Sequence, residues 1–181
     1  MQTIILLLGI GLFAVAAYGD IRTLRIPNAL VGSVAALGVL RLVVIGDPNA
    51  AMQTTAATAI VFIVAFLLFW RNLIGGGDAK LIAAAALLVG SKNLFNFLLV
   101  MGLCGALVSL VVLVTQRRSS PKLARQIPLG DVVGTVATLG QLPALSKGRV
   151  AIPYGVAIAG GGIVTLVAQI APLLFQPSLH G

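Results

Sequence analysis

The stretch A-M-Q-T-T-A-A-T-A-I-V-F-I-V-A-F-L-L-F-W at residues 51–70, followed by R-N-L-I-G-G-G-D-A-K at residues 71–80, decides the fold. The first 20 residues carry no charge. About 20 helical residues are what a hydrocarbon core of about 30 Å requires. The run closes on Trp70 and Arg71, an aromatic ring and a cation suited to the headgroup level. It predicts a membrane-spanning helix that ends at a basic, glycine-rich loop.

Further apolar runs lie at residues 3–18, 29–45, 79–90, 94–115 and 152–175, which gives six predicted spans. Of the 181 residues 59% are hydrophobic and 9% charged, so most of the chain must sit in lipid. The expected architecture is an all-α, six-helix membrane bundle forming a single domain over residues 1–181. The net charge of +8 does not point to nucleic acid, because the cations fall in short loops between apolar runs. The one cysteine, Cys104, lies inside an apolar run and excludes both a disulfide framework and a cysteine zinc site. The fourth run is short. Its 12 residues cover only about 18 Å at about 1.5 Å per residue. Either the helix continues past Ser91 or its first turn lies below the membrane surface, which would put Asp78 at membrane depth.

Charge sets the expected orientation. No Lys or Arg precedes the first run, whereas Arg22 and Arg25 follow it, so it is read as a retained helix with its N-terminus outside. Six spans then place Arg22, Arg25, Arg71, Lys80, Arg117, Arg118, Lys122, Arg125, Lys147 and Arg149 at the cytoplasmic side, with only Arg41 and Lys92 opposed. Both chain ends fall outside, and a long cytoplasmic loop joins spans five and six. Within that loop residues 129–145 are fairly apolar and include Asp131, Gln141 and Pro143, as expected of an interfacial or re-entrant element. A seventh span there would invert only the last helix. Tyr18 and Trp70 are expected to be interfacial anchors, and His180 has no evident partner.

The chain has no glutamate and four aspartates, two of which lie where apolar runs meet basic loops on the same predicted face. A carboxylate in a membrane helix costs roughly 2.5–3.5 kcal/mol at the centre and less near the headgroups, so it marks a functional site by default. Asp20 opens D-I-R-T-L-R-I-P-N at residues 20–28, where Pro27 stops a continuous helix and Asn28 is placed to cap the second one. The plain alternative is an ion pair of Asp20 with Arg22 or Arg25. Asp78 ends Gly75-Gly76-Gly77-Asp78, where three glycines let a backbone approach closely, and a plain helix N-cap is the alternative role for Asp78. A phosphate loop is excluded, since no Gly-Lys-Ser/Thr ending follows. Asp47, in the turn at residues 46–49, is expected to be an ordinary loop residue of the opposite face. Two carboxylates from different helices suit activation of water on a peptide carbonyl, one ionised and one protonated. Their titration would belong to the pair, so neither is assigned as acid or base.

Residues 20–28 (D-I-R-T-L-R-I-P-N), 75–81 (G-G-G-D-A-K-L) and 152–158 (I-P-Y-G-V-A-I) together resemble the signature stretches of type IV prepilin peptidases, membrane aspartic proteases of the Gly-x-Gly-Asp type. The resemblance implies that Asp20 and Asp78 are catalytic. It implies motif or substrate-binding roles for Pro27, Asn28, Gly75, Gly76, Gly77, Lys80, Pro153, Tyr154 and Gly155, with Gly75 and Gly77 letting the second aspartate approach the first. The chain looks like the compact form of tight-adherence (Flp) pilus systems. It lacks the cysteine-rich zinc element of larger members, and N-methylation of the mature pilin is unsupported. No metal and no cofactor are implied.

The expected activity is endopeptidase cleavage of a basic leader from a prepilin or pseudopilin, at the cytoplasmic face of the inner membrane. Partners would be that substrate and the lipid bilayer, with no nucleic acid. The basic loops disfavour recognition of the leader by charge, which leaves the apolar helix and extended backbone of the substrate. Gly102-Leu103-Cys104-Gly105-Ala106 offers a small-residue face for packing inside the bundle or in a homo-oligomer. A non-enzymatic transporter or pilus-assembly subunit, binding ions or protons at the aspartates, is the second reading, though the predicted helices carry few polar residues along their depth.

Overall fold

The computed structural model describes residues 1–23, 26–119 and 154–175. Arg25, Lys122, Arg125, the apolar loop segment with Asp131, Gln141 and Pro143, Lys147, Arg149, Pro153 and His180 lie outside the described residues. Among the described residues there are six α-helices and one 3₁₀ turn. They are α1 (Gln2–Thr23), α2 (Asn28–Ile45), α3 (Pro48–Trp70), α4 (Gly76–Val89), the turn Ser91–Asn93, α5 (Leu94–Ser119) and α6 (Tyr154–Phe175). Five segments are long and apolar enough to cross a membrane: Gln2–Arg22, Asn28–Ile45, Pro48–Trp70, Ser91–Val111 and Tyr154–Pro172. The chain is a helical, multi-pass membrane protein.

The chain divides into two compact units, one of residues 1–105 and 153–181 and the other of residues 106–152. Of the second, the described part is the C-terminal portion of α5. The first unit holds everything that follows. Its centre is α4, which packs against α2, α3 and α6, while α1 packs against α2 and α6. Lipid tails are as apolar as leucine, so close van der Waals packing rather than water exclusion holds such helices together. Small residues serve that purpose here. Ala79, Ala84, Ala85 and Ala86 of α4 are buried, and a Cβ on Gly38 of α2 would come within 3.0 Å of the Leu88 backbone nitrogen. Phe13, Leu6, Leu81, Leu88, Leu166 and Phe97 fill the remaining space. Outward, α3 presents Ile60, Phe62, Ile63 and Phe66.

Two local expectations are corrected and one open alternative is closed. Asn28 does not cap α2: it is the helix's first residue, Pro27 occupies the cap without a side-chain bond, and the Pro27 carbonyl accepts from Leu30 N–H at 3.1 Å. Asp47 is more than a loop residue, since it caps α3 by accepting from Asn49 N–H at 2.9 Å. The fourth helix does not continue past Ser91. It stops at Val89, and Gly90 turns the chain with φ of 84°. Of the two explanations for the short run, a helix continued past Ser91 is excluded. At the other end of α3, Asn72 adopts φ of 57°, with Asn72 N–H on Phe69 O at 2.8 Å and Leu73 N–H on Leu68 O at 3.0 Å. This paired bonding terminates the helix just before the glycines.

Candidate active site

Asp20 lies on α1, which continues three residues beyond it. Its side chain is buried, 5% exposed. Asp20 Oδ2 accepts the Val156 N–H at 3.2 Å, and the carboxylate also accepts the Gly155 N–H. These amides belong to the first turn of α6, whose leading N–H groups have no partner within the helix and carry its positive dipole end. A Cβ on residue 155 would lie 2.7 Å from both Cγ and Oδ2 of Asp20. Only glycine lets the carboxylate seat itself there. Arg22 does not pair with Asp20; its guanidinium lies 4.9 Å above the exposed Tyr18 ring.

Asp78 sits in the first turn of α4, two residues inside it. The structure thus removes the alternative of a plain N-cap for Asp78, because the cap residue is Gly75 and Gly76 and Gly77 are already helical. The Asp78 carboxylate reaches back to accept the Gly75 N–H, which is half of a capping box. A Cβ on Gly75 would stand 2.9 Å from Asp78 Oδ2. The two carboxylates are near enough to interact electrostatically. They arrive from α1 and α4, and α2 and α6 each pack on both of those helices.

The other expected site residues divide into two groups. Around the pair, Gly155 touches Asp20, and Tyr154 is half-buried at the start of α6. Gly77 lies 3.5 Å, measured from an added Cβ, from Ile26 Cβ, so the end of the first motif rests on the second. That is an ordinary contact, and the tight approach falls to Gly75 and Gly155 instead. Gly76 faces the Phe69 ring at 3.1 Å from an added Cβ. Pro27, Asn28 and Lys80 are exposed. Sequence reasoning undervalued Gly155. The signal was its place in the first turn of a helix, where backbone amides are free to bind an acid.

A family model described as the type IV leader peptidase family matches residues 7–110, more than half of the chain. The chain belongs to the type IV leader peptidase family. The match takes in Asp20 and Asp78 and stops short of α6. Neither the curated proteins nor the solved structures give a match to this chain.

Proposed function

We propose that the chain is a membrane aspartic endopeptidase that removes the basic leader from Flp-type prepilins, with Asp20 and Asp78 as its catalytic pair. One observation carries the reading: two motif aspartates, 58 residues apart in sequence, come within electrostatic reach of each other inside the family-matched segment and accept backbone amides at the N-terminal ends of two helices. Amide donors steady a carboxylate without neutralising it as an arginine would. Each carboxylate offers about four lone-pair sites, so acceptor capacity remains for water and substrate.

The chemistry follows from one proton shared by the pair. The ionised carboxylate takes a proton from water as the water oxygen bonds to the scissile carbonyl carbon. The protonated carboxyl gives its proton to the carbonyl oxygen, forming a neutral tetrahedral diol. Collapse breaks the C–N bond: the proton taken from water passes to the leaving amine, and a diol hydroxyl returns its proton to the other carboxylate. The pair is restored, and which member starts ionised is a property of the dyad.

For the membrane arrangement, α4 serves as a sixth, short span. Its 14 residues extend about 21 Å at about 1.5 Å each, less than a core of about 30 Å. Arg22, Arg71 and Lys80 flank the carboxylate end, consistent with a site at the cytoplasmic face of the inner membrane. The test is co-expression with a Flp-type prepilin, reading the pilin N-terminus by mass spectrometry. A processed N-terminus dependent on this chain is expected. Unprocessed pilin across several Flp-type prepilins would overturn the substrate assignment.

A further inference from the structure

The only cation that sequence reasoning left against the charge pattern and the structure buries is Arg41, 7% exposed on α2. Among the described residues it pairs with no carboxylate. Arg41 Nη1 instead donates to the carbonyl oxygens of Leu88 and of Val89, the latter at 2.6 Å, and Nη2 donates to Gln169 Oε1 of α6 at 2.7 Å. Gln169 Nε2 then donates to Val89 O at 3.2 Å. Arg41, Gln169 and the last turn of α4 form a closed ring of hydrogen bonds across three helices. Gly90 belongs to it as well, since a Cβ there would press within 3.1 Å of Nη1.

The physical need is plain. A helix of 14 residues leaves its terminal carbonyls without partners inside the bilayer, and lipid supplies no donors. A cation at that end also meets the negative end of the helix dipole. The ring has a second consequence. α4 carries Asp78 in its first turn, and the first turn of α6 holds Asp20. The same two helices are tied together at their other ends by Gln169 and Arg41. Between the ties, Ala84, Ala85 and Ala86 give shallow ridges that resist axial sliding weakly.

We propose that Arg41, with Gln169, is a positioning residue that fixes the axial depth of α4 against α6 and thereby sets Asp78 opposite Asp20. This rests on the reading of the two aspartates as the catalytic pair. Its reach is long: about 15 Å of helix separates Asp78 from Leu88 at about 1.5 Å per residue. Displacement of a reacting group by about 1 Å can cost on the order of a hundredfold in rate.

The experiment uses the full chain in native membranes with Arg41→Met, Arg41→Lys and Gln169→Leu, scored two ways. In prepilin cleavage, Arg41→Met is expected to lower kcat about ten- to hundredfold with KM nearly unchanged. Arg41→Lys should recover part of the loss and Gln169→Leu should lose less. In the second arm, Lys80→Cys in a Cys104→Ser background reports the depth of the first turn of α4 through its rate of reaction with a membrane-impermeant maleimide. Arg41→Met should change that rate severalfold while leaving Arg22→Cys, at the end of α1, unchanged. If Arg41→Met fails to accumulate, Arg41→Lys and Gln169→Leu carry both readings. Unchanged kcat with unchanged labelling at position 80, or equal changes at positions 80 and 22, would overturn the proposal. Wild-type protein that cleaves nothing would overturn the peptidase reading instead, and the labelling arm would still decide whether the ring sets the depth of α4.

Discussion

The two ends of α4 solve the same problem in opposite ways. Both leave helix-terminal backbone groups that the helix itself cannot pair. At the C-terminal end a guanidinium and an amide side chain take up the carbonyls of Leu88 and Val89. At the N-terminal end the polar groups are carboxylates, and what they accept among the described residues is backbone N–H from Gly75, Gly155 and Val156. An arginine whose hydrogen bonds are made to neighbouring helices is a fixture. A pair of acids with lone pairs to spare is, on the proposed reading, free to engage a reactant. The contrast separates what holds the helix from what the helix holds.

Substitutions at the two ends should therefore differ in kind. The largest effect is expected at the acids: Asp20→Asn or Asp78→Asn, nearly isosteric, should each lower prepilin cleavage by about 10²-fold or more at normal membrane levels, measured by quantifying processed pilin. Next comes Gly155→Ala. The new methyl would sit where Cγ of Asp20 now lies 2.7 Å away, and the carboxylate must yield. A loss of about tenfold to a hundredfold in kcat is expected, with the protein still folded by limited proteolysis. Gly77→Ala meets only Ile26 Cβ at 3.5 Å and should cost distinctly less in the same assay. Equal losses at 77 and 155 would erase the difference drawn between them. The smallest effect is expected far from both acids. Asp47→Ala removes the cap of α3 and should cost about 1 kcal/mol of stability in a denaturant titration, with cleavage kinetics unchanged.

Much of this was legible in the sequence, for a physical reason: in a chain of apolar runs, each charged residue must be explained individually. Five of the six apolar runs predicted as spans reappear as helices long enough to cross. The sixth, α4, reappears at 14 residues, too short to cross a hydrocarbon core unaided. Asp20 and Asp78 stood out as candidates by lying at the ends of such runs. Helix caps were harder. Gly76 and Gly77 looked like loop, yet they are helical because Asp78 reaches back to the Gly75 amide. Asn28 looked like a cap because its side chain suits one, but the chain enters α2 one residue earlier, through Pro27. The ring around Arg41 was beyond pattern reading, since its partners lie on α4 and α6. Two hints pointed to it together: an arginine inside the second apolar run and a fourth run of only 12 residues.

The central claim is that Asp20 and Asp78 act as one site. Its most direct test is a double-variant cycle on prepilin cleavage with Asp20→Asn, Asp78→Asn and both together, at matched membrane levels. Groups that act as a unit are strongly non-additive. The double variant should fall no further than the more damaged single variant. Losses that multiply, or a single variant that cleaves at the wild-type rate, would contradict a shared site.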